Sequence, residues 1–178
     1  MSDEPKRRFL VVHDYGMGGL WWWIHARSVR QIVETFAEVE VVEDPQIVAR
    51  FANEDLTEVD VDIDAAAMPP GLDDLREQRD AQRSQHGFGA LAGQGIVYLR
   101  RPPEEGDGTE LSACFVELGP DGRRLRQVEM YRDATAIKTG PDDWPLNPPI
   151  DLYDPELAGW QVTPDQFEQA WCQARSES

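Results

Sequence analysis

The segment Leu20-Trp21-Trp22-Trp23-Ile24-His25-Ala26 restricts this chain more than any other. Aromatic residues in such a run favour an extended strand, and in a strand successive side chains point to opposite faces. Trp21 and Trp23 then share one face and Trp22 takes the other, so the three cannot enter a single core. At least one indole is expected to line a groove or contact surface, with Trp22 assigned to partner contact. Phe9 to His13 reads as the preceding strand. The intervening Asp14-Tyr15-Gly16-Met17-Gly18-Gly19 is rich in turn formers, and a hairpin is the simplest join.

Downstream, Ser28 and Gln31 have capping-box spacing, and Val29, Ile32, Val33 and Phe36 recur at i, i+3, i+4 and i+7, one face of a helix that packs on the sheet. Val39 to Val42 reads as a short strand, and Asp44-Pro45 opens a helix carrying Ile47, Val48 and Phe51. Val59, Val61 and Ile63 alternate with Asp60, Asp62 and Asp64, the pattern of an edge strand with one wet, wholly acidic face. Leu72 to Arg83 predicts a partly exposed helix touching the core through Leu72, Leu75 and Ala81. Ile96 to Leu99 is expected to close this half as a buried strand.

The stretch Arg100-Arg101-Pro102-Pro103-Glu104-Glu105-Gly106-Asp107-Gly108 suits a long surface connection, which places one subdomain over 1–101 and another over 109–178. In the latter, Leu111 to Leu118 and Leu125 to Tyr131 flank the turn Gly119-Pro120-Asp121-Gly122, and Thr135 to Lys138 adds a third strand. A proline-rich passage follows. Thr163, Pro164 and Gln166 then cap a terminal helix whose buried stripe is Phe167, Ala170, Trp171 and Ala174. The expected class is α+β, mainly antiparallel sheets with helices packed on one face, the C-terminal part a three-stranded meander followed by a terminal helix.

Charge narrows function. Thirty-four Asp and Glu face 17 Lys and Arg, a formal net charge of −17. Phosphate binding draws on a cationic surface and counterion release, so no nucleic-acid and no membrane partner is expected. A basic protein, by contrast, would be steered to such a surface. Acidity that serves solubility alone is the competing reading. Residues 38–64 hold ten carboxylates with Arg50 as the single base, which supplies nine of the net −17. The polar, charged Met1 to Arg8 fits no signal peptide, and Leu20 to Ala26 is far short of the roughly 20 residues of a membrane span. The isolated Cys114 and Cys172 fit a reducing cytoplasm.

The segments Val128-Glu129-Met130-Tyr131-Arg132-Asp133 and Thr163-Pro164-Asp165-Gln166-Phe167-Glu168-Gln169-Ala170-Trp171 carry a resemblance. Together they resemble a small actinobacterial family of uncharacterised domains, in which a strand ending VE-[IM]-[FY]-[RK]-D precedes a terminal [ST]-x-x-x-F-E-x-x-W helix. The resemblance covers roughly the last 70 residues and implies immunity or partner-binding roles around toxin loci, with no functional residue to carry over. The His13 to Trp23 segment is similar to actinobacterial proteins of no assigned role.

Several constellations offer chemistry. His13, Asp14 and His25 could act as acid and base, with Tyr15, Trp21 and Trp23 as an aromatic pocket, although their spacing lacks the i, i+4 geometry of a helical zinc motif. Gly16-Met17-Gly18-Gly19 precedes a tryptophan strand where a phosphate loop would open a helix, so a flexible hairpin is the better reading. Asp60, Asp62 and Asp64 match the start of a calcium loop, which then fails at Ala65 and Gly71. Arg76, Arg79 and Arg83 share a helical face with acidic partners in reach. Cys114 and Cys172 look like small hydrophobes. No cofactor and no metal site are expected. The leading expectation is an acidic cytoplasmic protein-binding module, an immunity-type inhibitor or regulator of a basic partner, that binds through Glu54, Asp55, Glu58, Asp60, Asp62, Asp64 and Trp22. The alternatives are an enzyme or small-ligand protein with a pocket around His13, Trp21, Trp23 and His25, and a homo-oligomer using the tryptophan surface.

Overall fold

A computed structural model of the chain describes residues 4–54, 60–103 and 110–176. It is α+β, and its contacts divide it into two compact units, Met1–Gln85 and His86–Ser178.

The first unit contains β1 (Arg7–Asp14), β2 (Gly19–Ala26), α1 (Val29–Thr35), β3 (Glu40–Val42), α2 (Pro45–Glu54), β4 (Asp60–Asp62) and α3 (Leu72–Arg83). Strand order is β3-β1-β2-β4, antiparallel except for the parallel pairing of β2 with β4. The expected hairpin forms with Leu10 opposite Trp23 and Val12 opposite Trp21. That register puts Phe9, Val11, Trp22, Ile24 and Val61 on one face, where Ile32, Phe36, Leu72 and Leu75 complete a core. Trp22 is 1% exposed, which corrects its assignment to a contact surface: the helices cover the face it takes. On the other face Trp21 stacks on Phe51 of α2 with ring centroids 4.2 Å apart.

Caps and helix ends follow local chemistry. The Ser28 hydroxyl accepts from the Gln31 amide at 3.1 Å and starts α1. The end of α1 is met by α3, whose buried Arg79 donates to the Phe36 carbonyl at 3.0 Å and to Gln82 Oε1 at 2.9 Å. The apolar contact expected at Ala81 is absent, since Ala81 is exposed and the buried side of α3 carries Leu72, Leu75, Arg79 and Gln82. Arg76 and Arg83 pair with Asp73 and Asp80 of the same helix.

The second unit contains β5 (Val97–Arg101), β6 (Leu111–Leu118), β7 (Arg124–Tyr131), β8 (Ala136–Thr139), α4 (Pro164–Gln173) and β9 (Arg175–Ser176), with sheet order β5-β6-β7-β8-β9. The expected meander is β6-β7-β8, extended by β5 on one edge and by β9, parallel to β8, on the other. The Ile96 to Leu99 segment therefore belongs here and not to the first half: Val97 and Leu99 pair with Leu118 and Val116 and bury with them. The division falls at 85/86; Arg100 and Arg101 of the expected connection end β5, and residues 104–109 are outside the described residues.

This sheet is covered on both sides. Val97, Leu99, Val116 and Leu118 pack with Leu91, Leu152 and Leu157. Ala113, Phe115 and Val128 pack on the other side with Phe167, Ala170 and Ala174 of α4 and its end. The capping box of α4 forms as expected, with Thr163 Oγ1 accepting from the Gln166 amide and Gln166 Oε1 from the Thr163 amide. Arg126 clamps the helix: it pairs with Glu117 and Glu168, and its guanidinium lies 4.9 Å from the Phe167 ring and 5.0 Å from Trp171. Among the described residues no helix is long and apolar enough to cross a membrane.

The β6–β7 turn provides a test. Gly122 has φ +81°, and a Cβ there would stand 2.2 Å from the Ile150 carbonyl oxygen. Gly122→Ala is expected to destabilise the chain by about 1–3 kcal/mol in urea unfolding, from backbone strain and the displaced 150 segment.

Candidate functional site

The acidic row formed by β4 and the residues after it carries three of the seven predicted partner contacts, Asp60, Asp62 and Asp64. Pairing of β4 with β2 sets Trp23 beside Asp60 and His25 beside Asp62, while β1 sets Arg8 beside His25. The long cationic side chains of Arg8 in β1 and of Lys6 just before it reach across β2. Arg8 Nε lies 3.1 Å from Asp60 with its guanidinium 4.0 Å above the Trp23 ring, and Lys6 Nζ pairs with both Asp62 and Asp64. Arg27 Nη1 adds a 3.0 Å bond to Asp64, and His25 Nε2 stands 3.4 Å from Asp60. The hydrogen bonds from Lys6 hold the carboxyls of Asp62 and Asp64 below the usual aspartate range and raise the Lys6 ammonium above its own.

The row is thus a closed ion-pair rail and not a bare anionic patch. Its groups are half-exposed, so each pair contributes little to stability singly, and the rail acts mainly by fixing the short parallel strand to the hairpin. Of the other expected contacts, Glu54 is exposed and pairs with Arg50 one helical turn back at 3.4 Å, while Asp55 and Glu58 lie outside the described residues.

The imidazole pocket does not assemble. His13 sits opposite Leu20 and His25 opposite Arg8, at different ends of the hairpin, and strand alternation sends the two rings to opposite faces. His13 Nδ1 is 2.9 Å from the Glu38 carbonyl, and the Asp14 carboxylate accepts from the Gly16 amide at 2.8 Å. Tyr15 is exposed at the hairpin turn, Trp23 lies buried under Arg8, and Trp21 is engaged by Phe51. Among the described residues no group of three or more His, Cys, Asp and Glu is arranged to hold a metal.

A second polar surface was not foreseen. On the β5-β6-β7 sheet, Arg101, Cys114 and Glu129 form one cross-strand row. Arg124 Nη1 donates to Gln127 Oε1 at 3.1 Å, Gln127 Nε2 to Glu129 Oε1 at 2.9 Å, and Tyr131 Oη to Glu129 Oε2 at 2.8 Å. Trp144 backs Arg124 at 4.4 Å, and the Trp160 ring centre lies 5.8 Å from Arg101. Burial and the Glu129 carboxylate push the Cys114 thiol up to about 11, against the pull of Arg101 and Arg124, so it is a protonated donor at neutral pH and no nucleophile. The spacing of Gln127, Glu129 and Tyr131 was a readable period-2 signal, but Arg101 and the two indoles arrive from distant segments.

No family model, no curated protein and no solved structure matches the chain, so the resemblance noted above rests on its motif residues alone.

Two outcomes follow from this geometry. Trp22→Ala should cost about 3–5 kcal/mol in denaturant unfolding, whereas a contact-surface tryptophan would leave stability within experimental error. For the rail, Asp62 and Asp64 have depressed pKa values, so their contribution is present above the unfolded aspartate range and is lost as pH falls through the lower folded values. Asp62→Asn/Asp64→Asn should therefore flatten the fall of stability below about pH 4, as followed by acid unfolding at constant ionic strength.

Proposed function

We propose that this chain is an acidic, cytoplasmic protein-binding module, an inhibitor or regulator of the immunity type, that recognises a basic partner protein. The observation that carries the reading is a charge excess the fold has no means to absorb: 34 carboxylates face 17 Lys and Arg, so half would stay unmatched even if every base held one. Such an excess favours encounter with a cationic partner and disfavours nucleic acid, anionic membranes and a second copy of the same chain.

Because Lys6, Arg8 and Arg27 occupy Asp60, Asp62 and Asp64, the contact is assigned to α2 and the turn before it. No residue of α2 is fully buried, Ile47 is 40% exposed, and Glu43, Asp44 and Glu54 stand exposed around it. An apolar anchor with a carboxylate rim is the arrangement a basic surface would fit. The exposed Arg50–Glu54 pair is weak enough to exchange for a partner's cation. The competing pocket around His13, Trp21, Trp23 and His25 loses its basis with the two rings on opposite faces.

The test is affinity capture from an actinobacterial lysate with immobilised wild-type chain and with Glu43→Lys/Ile47→Ala/Glu54→Lys, followed by mass spectrometry. Asp44 is left intact because it caps α2 by accepting from the Gln46 amide at 2.8 Å. Wild type is expected to retain a discrete basic protein at low salt, to release it at about 0.5 M salt, and to lose it in the triple variant. Equal capture by both chains, or no specific capture, overturns the reading.

A further inference from the structure

The two faces of the first sheet are covered unequally. On one, α1 brings the buried Ile32, and α3 brings Leu72, Leu75, Arg79 and Gln82, all buried, with Arg79 bonded to the Phe36 carbonyl. On the other, α2 has no buried residue, and Val48 and Phe51, one turn apart, are its only half-buried side chains. The strip that α2 lies against is nevertheless apolar: Val12 of β1 is opposite Trp21 of β2, and Leu10, on the same face, is buried with Val12.

Among the described residues no hydrogen bond or ion pair joins α2 to that strip. Its cap and side-chain bonds stay within the segment, from the Gln46 and Ile47 amides to Asp44 Oδ1 and from Arg50 to Glu54. The holding contact is the Phe51 ring stacked on Trp21, 4.2 Å between centroids, on the side of the helix that carries Val48. A segment with so few buried apolar contacts belongs to the low end of local stability. Ten residues are also too few for a helix to persist alone in water, so release of α2 and its unfolding are one event. The pairings of β1 with β2 and β3, and the core on the opposite face, are made without it.

We propose that α2 is a lid: residues 43–54 open by local unfolding while the rest of the first unit stays folded, uncovering the strip of Leu10, Val12 and Trp21. Closed, the segment presents Glu43, Ile47 and Glu54. Open, that arrangement is gone and an apolar strip is offered in its place, so the two surfaces exclude one another. The lid is a property of the free chain and does not rest on any partner.

The test is hydrogen–deuterium exchange of the full chain at neutral pH, read by peptide mass. After correction for intrinsic rates, amides of 48–54 are expected to exchange on the order of a hundredfold faster than those of β1 and β2, through an opening that hardly changes in low urea. A thiol beneath the lid reads the same event from the sheet side. The thiol of Val12→Cys should be labelled at a rate equally indifferent to low urea, and adding Phe51→Ala should raise that rate about tenfold. Peptide mass separates this label from those on Cys114 and Cys172. Exchange of 48–54 at the rate and with the urea dependence of β1 and β2, or labelling of Val12→Cys unaltered by Phe51→Ala, overturns the lid.

Discussion

The register of β1 against β2 decides where nearly every notable side chain of the first unit goes. With Leu10 opposite Trp23, the odd-numbered residues of β1 and the even-numbered residues of β2 enter the helical core, and the remainder face α2 and water. A slip of one residue in β1 alone would carry Phe9 and Val11 out and Leu10 and Val12 in, leaving the partners on β2 mismatched. The same register lays Arg8 next to His25, and the parallel addition of β4 then brings Asp60 and Asp62 into the adjoining rows. The ion-pair rail is thus a product of strand alignment. Lys6 and Arg8 are separated from their acidic partners by more than fifty residues of chain, yet they meet because two ladders share β2.

Local signals were legible in the residues. The hairpin, the Ser28 and Thr163 caps, the Gly119–Gly122 turn and the terminal helix stripe each depend on groups within a few positions of one another. What escaped was non-local. The partner of Val97–Arg101 could not be read from a Pro/Gly/charged stretch, because the same composition serves a link between domains and a link between paired strands. The opposite facing of His13 and His25 depended on the alignment across a glycine-rich turn whose length the composition leaves open. The fate of Asp60, Asp62 and Asp64 depended on cations in segments with no sequence relation to them. A local charge run reports how many carboxylates there are, not what they face.

Acidity is spread more evenly than the local run suggests. Met1–Gln85 holds 18 carboxylates and nine Lys and Arg, and His86–Ser178 holds 16 and eight. Each unit therefore meets the same problem, too few cations, and solves it by placing them where geometry multiplies their use. Lys6 serves two aspartates, and Arg126 serves two glutamates and two aromatic rings at once.

The passage from Pro141 to Ile150 is tied to the sheet by few bonds, chiefly Asn147 against the Arg124 backbone and side chain and the Ile150 amide against the Gly122 carbonyl at 2.9 Å. Few suffice because four of its ten residues are proline, at 141, 145, 148 and 149, whose rings have already removed much of the rotational freedom that ordering would otherwise have to remove. A loop of the same length in serine and glycine would wander away from the same anchors. Stiffness written into the covalent chain takes the place of many contacts, and with one 3-10 turn over Pro141–Asp143 it keeps the Trp144 indole over Arg124.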